Sequence, residues 1–238
     1  VPLALKFDTI GPLCRSVEDA ALLTAALEGI KAPDLRGASL KGRRFAMINT
    51  VFMDGLRDAP KAAFNRAVAR LEAAGATIDV IEVAAVQEAL DVSGPLITCE
   101  AYGLWRDVIE SAPEKMYEEI LRRFRLGRDF SGPDYVSAWA RLDAARQAYD
   151  QATAGYDAIL APTSAILAPE LERLNSDPDY YVTENLMALR NTRIGNLLGL
   201  CALTLPTGVP SCGLMLQAAP GFDDALLRLG AAAEAALS

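Results

Sequence analysis

The chain has 238 residues, 52% of them apolar, and 23 Lys and Arg stand against 31 Asp and Glu for a net charge of −8. That is enough apolar material for one domain with a sizeable core. The negative balance argues against a nucleic-acid backbone or an anionic membrane surface as the main partner. Histidine is absent, which removes Ser-His-Asp and Cys-His mechanisms and histidine-bearing metal sites. Any acyl-transfer base here must be a lysine, a carboxylate or a water. Cys14, Cys99, Cys201 and Cys212 show no paired metal or redox spacing and are expected as buried, reduced thiols. No apolar run approaches the length of a membrane span, and no basic-then-apolar signal opens the chain, so a soluble, cytoplasmic protein is expected.

In chain order, the first informative stretch is Phe7 to Ala21. Gly11-Pro12 makes a turn and fixes φ at the proline. Ser16 precedes Asp19 by three positions ahead of an apolar run, which resembles a capping box with Asp for Glu. A helix is therefore predicted from Val17 to Leu27, stopped at Gly29. Phe45 to Ile48 reads as a buried strand after a basic opening. Asp58 and Pro60 signal a helix with Phe64, Ala67, Val68 and Leu71 on one face and Gly75 at its end. Ala62, Ala63, Ala69 and Ala73 are expected to form a solvated face. Thr77 to Val83 is β-rich, and strand, helix, strand at these lengths is a βαβ unit with parallel strands.

The middle of the chain is predicted as three helices, opened by Ser93 and Pro95, by Ser111 and Pro113, and by Ser131-Gly132-Pro133. The second of them runs through Met116, Ile120 and Leu121 to Gly127. Strand character returns at Tyr156 to Ala161 and is cut by Pro162-Thr163. Residues 164 to 182 read as a long polar loop, a feature that is usually functional or mobile. Asn191 to Gly208 reads as a short helix running into a strand that ends in a Pro-Thr-Gly turn. Gly213 to Gln217 is another apolar strand, and Asp223 opens a closing Ala/Leu helix.

Several of these segments resemble, in the same order, segments of the amidase signature family. Asp8-Thr9-Ile10-Gly11-Pro12, then Arg15, then Val17-Glu18-Asp19-Ala20 resemble that family's Asp-Thr-x-Gly-Pro stretch, arginine and Val-x-Asp-Ala helix start. Tyr156 to Thr163 is similar to its Tyr-Asp-hydrophobic-Pro-Thr strand end. Asn196-Leu197-Leu198-Gly199-Leu200 is similar to its Asn-Leu-x-Gly-x segment, with Pro206-Thr207-Gly208 ending the next strand. Gly213 to Gln217 and Asp223 to Leu227 resemble the last strand and the start of the last helix. Cys201, where many members have proline, and the short connection from Thr207 to Cys212 are departures.

The resemblance implies an α/β fold, layered α/β/α around a mixed, largely parallel sheet, with no cofactor and no metal. It also implies hydrolysis of a carboxamide C–N bond by a lysine, a bridging serine and a nucleophilic serine. In the family these residues precede the Asp-Thr-x-Gly-Pro segment, and Lys6, Lys31, Lys41, Lys61 and Lys115 match none of their contexts. Residues 1–238 are thus expected to be the carboxy-terminal part of a single amidase-like domain, inactive alone. Its expected partners are a small-molecule amide and the amino-terminal half of the same enzyme, with no direct nucleic-acid or membrane partner and with homo-oligomerisation left open. On that reading, full burial of Ile159, Leu203 and Leu205 by this chain alone would mark a self-sufficient domain instead.

In relatives acting on glutamine in tRNA-linked transamidation, an arginine from the helical middle and an acid shortly before the Asn-Leu-x-Gly segment grip the amino acid. Arg122 or Arg123 fits the first place by resemblance. The second place offers Leu189-Arg190-Asn191, with no acid, which favours a general amidase whose substrate carries negative charge near Arg190 or Arg193. The candidate substrate-binding set is Arg122, Arg123, Thr163, Arg190, Asn191 and Arg193. The plainer reading makes Arg190 and Arg193 partners of Glu184 or Asp177, and the basic run around Arg125 and Arg128 a solvated face balanced by Glu118 and Glu119. Two alternatives stay open: the amidase-like component of a tRNA-dependent glutamyl/aspartyl amidotransferase, and a non-catalytic α/β ligand-binding module.

Overall fold

The protein is described by a computed structural model covering residues 2–238. Helix α1 (Val17–Glu28) starts where its sequence dictates: Ser16 is extended and its hydroxyl accepts the Asp19 amide at 3.1 Å. Gly29 ends it in the left-handed region at φ 70°, which glycine adopts without strain. The βαβ unit follows as strand β1 (Arg44–Ile48), helix α2 (Asp58–Ala73) and strand β2 (Thr77–Ile81). β1 and β2 are parallel, from Arg44 opposite Thr77 to Ile48 opposite Ile81. Ala63, expected in solvent, is in the core, because Pro60, Ala63, Phe64, Ala67, Val68 and Leu71 make one three-four stripe. Ala62, Ala69 and Ala73 are exposed as expected.

The stretch between β2 and the last two strands is mainly helical. α3 (Ala85–Asp91), too short to declare itself by periodicity, leads into α4 (Ser93–Ser111). The next helix begins later than Ser111 and Pro113 suggest. Met116 is extended at φ −101°, ψ 140°, so a single 3₁₀ turn precedes α5 (Glu118–Arg125). α6 (Gly132–Thr153) carries a full capping box between Ser131 and Asp134. The long loop expected over 164–182 is not there. That stretch holds α7 (Leu171–Ser176), and from Pro178 onward it is the start of α8 (Pro178–Leu198), a helix of 21 residues. Asp177 caps α8 by accepting the Tyr180 amide at 3.0 Å, with Pro178 at the first helical position.

Strands β3 (Ala158–Pro162), β4 (Cys201–Pro206) and β5 (Gly213–Ala218) complete a sheet ordered β2-β1-β3-β5-β4, and α9 (Asp223–Leu237) closes the chain. β3 is parallel to β1, β5 is antiparallel to β3, and β4 is antiparallel to β5. Four strands therefore run one way and β5 alone runs back, which makes the sheet mixed and mostly parallel. The pleat sends alternate side chains to two cores. Ala46, Ile48, Ile159 and Met215 pack under α3, α6 and α8, while Phe45, Leu160, Leu205 and Leu214 pack under α1, α2 and α9.

β4 is an outer strand. Ile159 and Leu205 are 3% and 2% exposed, but Leu203 is only half-buried, and Ala202, Thr204 and Pro206 face solvent. All four cysteines are free, but of the four expected in the core only Cys212 is buried: Cys99 and Cys201 are half-buried, and Cys14 is exposed because it sits in the extended segment before α1. Among the described residues no helix is long and apolar enough to cross a membrane.

Candidate functional site

In an open α/β sheet, ligands bind outside the carboxyl ends of the parallel strands. Here that rim is formed by the ends of β1 and β3, the start of β5, and α8 lying across them. Asn191 fastens it. This side chain is fully buried, and its Nδ2 donates to the Phe52 carbonyl at 3.1 Å and the Pro162 carbonyl at 2.7 Å. Its Oδ1 accepts from Arg190 Nε at 3.1 Å. One amide thus ties the loop after β1, the end of β3 and α8 together.

Arg190 is committed to the same loop. Its Nη1 donates to the Asp54 carbonyl at 2.6 Å and its Nη2 to the Phe52 carbonyl at 3.3 Å. Burial lowers its pKa, partly countered by Asp54. Thr163 stands on the rim beside β4, with its hydroxyl 3.3 Å from that of Thr204 and its amide donating to the Gly213 carbonyl at 3.0 Å. Glycine is required at 213, since a Cβ there would lie 2.6 Å from Thr163 Oγ1 and 2.9 Å from Thr204 Cγ2.

The two adjacent arginines of α5 diverge. Arg122 turns to solvent and pairs with Glu119 at 3.0 Å. Arg123 turns inward to α8, where its Nη1 donates to Asn185 Oδ1 and its guanidinium lies 5.5 Å from the centre of the Tyr181 ring. Arg123 Nη2 is buried with no hydrogen-bond partner among the described residues. Arg193, also on α8, is half-buried. Burial lowers its pKa first, and the neighbouring charge of Arg123 lowers it further. The structure thus brings Arg190 and Asn191 together at the loop after β1 and sets Arg123 against Tyr181 and Asn185 of α8.

The ion pairs expected of Arg190 and Arg193 are absent among the described residues, because the acids are taken. Arg57 donates to Glu184, whose carboxylate is 2% exposed, and Arg173 holds Asp177 at 3.4 Å. Arg125 pairs with Glu110 at 2.7 Å and Arg128 with Asp129 at 3.7 Å, so Glu118 balances neither. Tyr181, Glu184 and Asn185 are not legible as site residues in the sequence, because the polar stretch before them conceals the helix that aligns them. The Asp177-Pro178 start signal is the cue that reveals it.

A trough of about 780 Å³ runs beside this rim between residues 9–17, α8 and β4. Asn196 Nδ2 donates to the Phe7 carbonyl at 2.6 Å, so the Asn-Leu-x-Gly segment holds the Gly-Pro segment in place along it. Ile10 and Leu13 project fully into solvent, at 91% and 102% exposure.

The layered fold, the rim at its strand ends and the ordered segments around them define an α/β protein of amidase architecture. Residues 1–227 match the family model described as Amidase, and the chain belongs to that family. The 2-amino-5-chloromuconic acid deaminase of Comamonas testosteroni is 30% identical over 245 residues, covering 99% of this chain and 52% of that protein. An amidase of Pseudomonas putida is 28% identical, covering 98% of this chain and 54% of its own. A crystal structure of an amidase superposes with TM-score 0.84 at 26% identity, covering 100% of this chain and 55% of the other. A glutamyl-tRNA(Gln) amidotransferase component from Thermotoga maritima shares the fold, with TM-score 0.77 at 22% identity over 97% of this chain and 53% of the other. The chain spans about half the length of the relatives it matches.

Proposed function

We propose that this chain forms the substrate-facing wall of an amidohydrolase that cleaves a carboxamide C–N bond. The observation that carries this reading is the family match, which runs over residues 1–227 and takes in every element around the rim. On this reading the nucleophilic serine, bridging serine and lysine come from sequence outside residues 1–238. The free edge of β4 and the trough beside it are where that sequence adds to the sheet. The serine hydroxyl adds to the amide carbon, and its proton passes by way of the lysine and bridging serine to the departing nitrogen. Water then releases the acid from the acyl-enzyme. Arg123, placed by resemblance and turned toward α8, contributes to the substrate pocket, with Thr163 on the same rim.

The substrate is a small amide, and an acidic one suits the basic wall. In keeping with this, the relative from Comamonas testosteroni is named for an acid that it deaminates. Where the tRNA-linked relatives carry an acid this chain offers Leu189-Arg190-Asn191, which supports a general amidase over an amidotransferase component. Four free cysteines suit a reducing compartment, and the proposed location is the cytoplasm.

The test is ammonia release from a panel of carboxamides by the full-length gene product and by the 238-residue chain. Turnover is expected from the first and none from the second. Turnover by the second, abolished by a substitution within it, would refute the division of labour. No turnover by the full-length protein on any small amide would refute the activity.

A further inference from the structure

A groove of about 870 Å³ opens at the other ends of the strands from the rim, where β3 begins at Ala158 and β5 finishes at Ala218. Two polar side chains on it are left unanswered by the fold. Tyr149 of α6 and Gln217 of β5 line it at 2% and 0% exposure, so they form its floor. Neither Tyr149 Oη nor Gln217 Oε1 has a hydrogen-bond partner among the described residues. The other end of the Gln217 amide is packed in. Its Nε2 lies 3.8 Å from Met215 Sδ and would be 3.0 Å from a Cβ on Gly195 of α8. Buried polar atoms without partners are rare, and two on one groove mark where a complementary group sits.

The walls are held from several sides. The segment 37–43 forms one of them, fixed by the Arg43 pair with Asp157 at 2.9 Å and by the Gly42 amide, which donates to the Gly75 carbonyl at 3.1 Å. Arg228 of α9 donates to the Asp34 carbonyl just before that segment. Ile159, Ala218, Phe222 and Leu229 supply apolar surface, as small-molecule sites require. The exposed rim of the groove is basic: Lys41, Arg43 and Arg228 stand against Asp150 and Asp157. Asp157 is taken by Arg43, and Lys41 makes no ion pair among the described residues.

The floor selects the head of the ligand. Burial, and then the charge of Asp150, pushes the Tyr149 pKa up, so this side chain stays a neutral phenol and can donate. Gln217 Oε1 only accepts. A carboxylate head would set its charge against Gln217 Oε1 with no proton to give, and an apolar head would leave both atoms unanswered. A hydroxyl both accepts and donates, and it carries no charge. We propose that this groove binds a small aromatic hydroxy acid, with its hydroxyl on Tyr149 and Gln217, its ring along Ile159, Ala218 and Phe222, and its carboxylate beside Lys41.

The experiment titrates the full-length protein calorimetrically with 4-hydroxyphenylacetate, with phenylacetate, which lacks the hydroxyl, and with p-cresol, which lacks the acid. 4-Hydroxyphenylacetate is expected to bind at least about fivefold tighter than phenylacetate, because only it answers the buried donor and acceptor. Y149F should erase most of that gap while leaving phenylacetate within about twofold. K41Q should weaken both acids about two- to fivefold and spare p-cresol. If Y149F does not fold, Q217M, which keeps the length of the side chain and removes the acceptor, decides on the same gap. Equal affinity for the two acids, or a gap that survives Y149F, overturns the hydroxyl site. No heat from any probe at about 10 mM, weaker than a millimolar complex, overturns it too, in favour of a groove that holds only water. Loss of p-cresol binding in K41Q to the same degree as the acids overturns the placing of the carboxylate.

Discussion

Replacing Asn191 by leucine should loosen the rim without opening a void, because the leucine side chain is no smaller than the amide it replaces. The wild-type amide makes three bonds from a fully buried position, at 3.1 Å to Phe52, 2.7 Å to Pro162 and 3.1 Å from Arg190. Phe52 retains a donor in Arg190 Nη2 at 3.3 Å, so the main loss falls on the Pro162 carbonyl and on Arg190 Nε. A buried polar group stripped of its partner costs about 1–3 kcal/mol, with charged groups at the upper end. Two such losses, one of them partly wet, come to about 2–4 kcal/mol. For a chain of this size that is a fall in Tm of about 4–16 °C. N191A should lose more, since it adds a cavity to the same polar deficit. Urea melts of the wild type, N191L and N191A measure this directly. A cost below about 0.5 kcal/mol for N191L would refute the view that this amide is what fastens α8 to the strand ends.

Gly127 lies against α4, and a Cβ on it would come within 2.6 Å of the Thr98 carbonyl carbon and 2.8 Å of Tyr102 Cβ. G127A should therefore cost about 3 kcal/mol or more, since backbone cannot yield as a side chain can. Gly103 in α4 has nothing within 4 Å of its Cβ position, and G103A should stabilise by about 0.5–1 kcal/mol. Opposite signs for two glycine-to-alanine changes within one helix packing are the check. Cys201 has its thiol pushed up to about 11 from the ordinary 9.0, first by burial and then by Asp223. At pH 8 about one molecule in a thousand holds it as thiolate, so an alkylating reagent followed by mass mapping should label exposed Cys14 well before Cys201. The raised value favours folding while the thiol is neutral in both states. That contribution is intact below pH 9 and is lost as the pH climbs through about 11. The stability gap between wild type and C201A should narrow over that window, and a constant gap refutes it.

Local rules explain what is directly legible in the chain. The Ser16 cap, the Gly29 stop and the three-four stripe of α2 each involve residues a few positions apart, and β1 declares itself by a continuous apolar run that feeds both cores. The ordered resemblance carries the layered architecture as well. The rest is hidden for two reasons. Polar composition masks the start of α8, although Asp177-Pro178 is a sound helix signal. Arginine fates are illegible because their partners are distant in the chain. Arg57 reaches Glu184, and Arg190 reaches back to Phe52 and Asp54. Arg122 and Arg123 are neighbours with the same side chain, yet one faces water and the other α8. A rotation of about 100° per residue separates them, and only the crossing of α5 over α8 decides which is buried.

The concentration of function on α8 follows from its length. At about 1.5 Å rise per residue, its 21 residues extend about 30 Å, long enough to pass from α5 across the rim to the start of β4. Its faces can therefore be assigned separately. Glu184 anchors to the loop after β1 through Arg57, while Tyr181 and Asn185 meet α5. Asn191 grips the strand ends and Asn196 the Gly-Pro segment. A shorter helix beginning near Asn191 would keep the last two contacts and lose the surface on which Arg123 lands. The contact of Arg123 with α8 therefore depends on the Asp177 cap, one turn before Tyr181. Substitution D177A, costing about 1 kcal/mol at the cap, should fray the first turns and disturb Tyr181 before it touches Asn191. Amide hydrogen exchange resolves that order: protection lost at 180–185 with 190–196 unchanged is expected, and uniform loss along α8 would show instead that the helix opens as one unit.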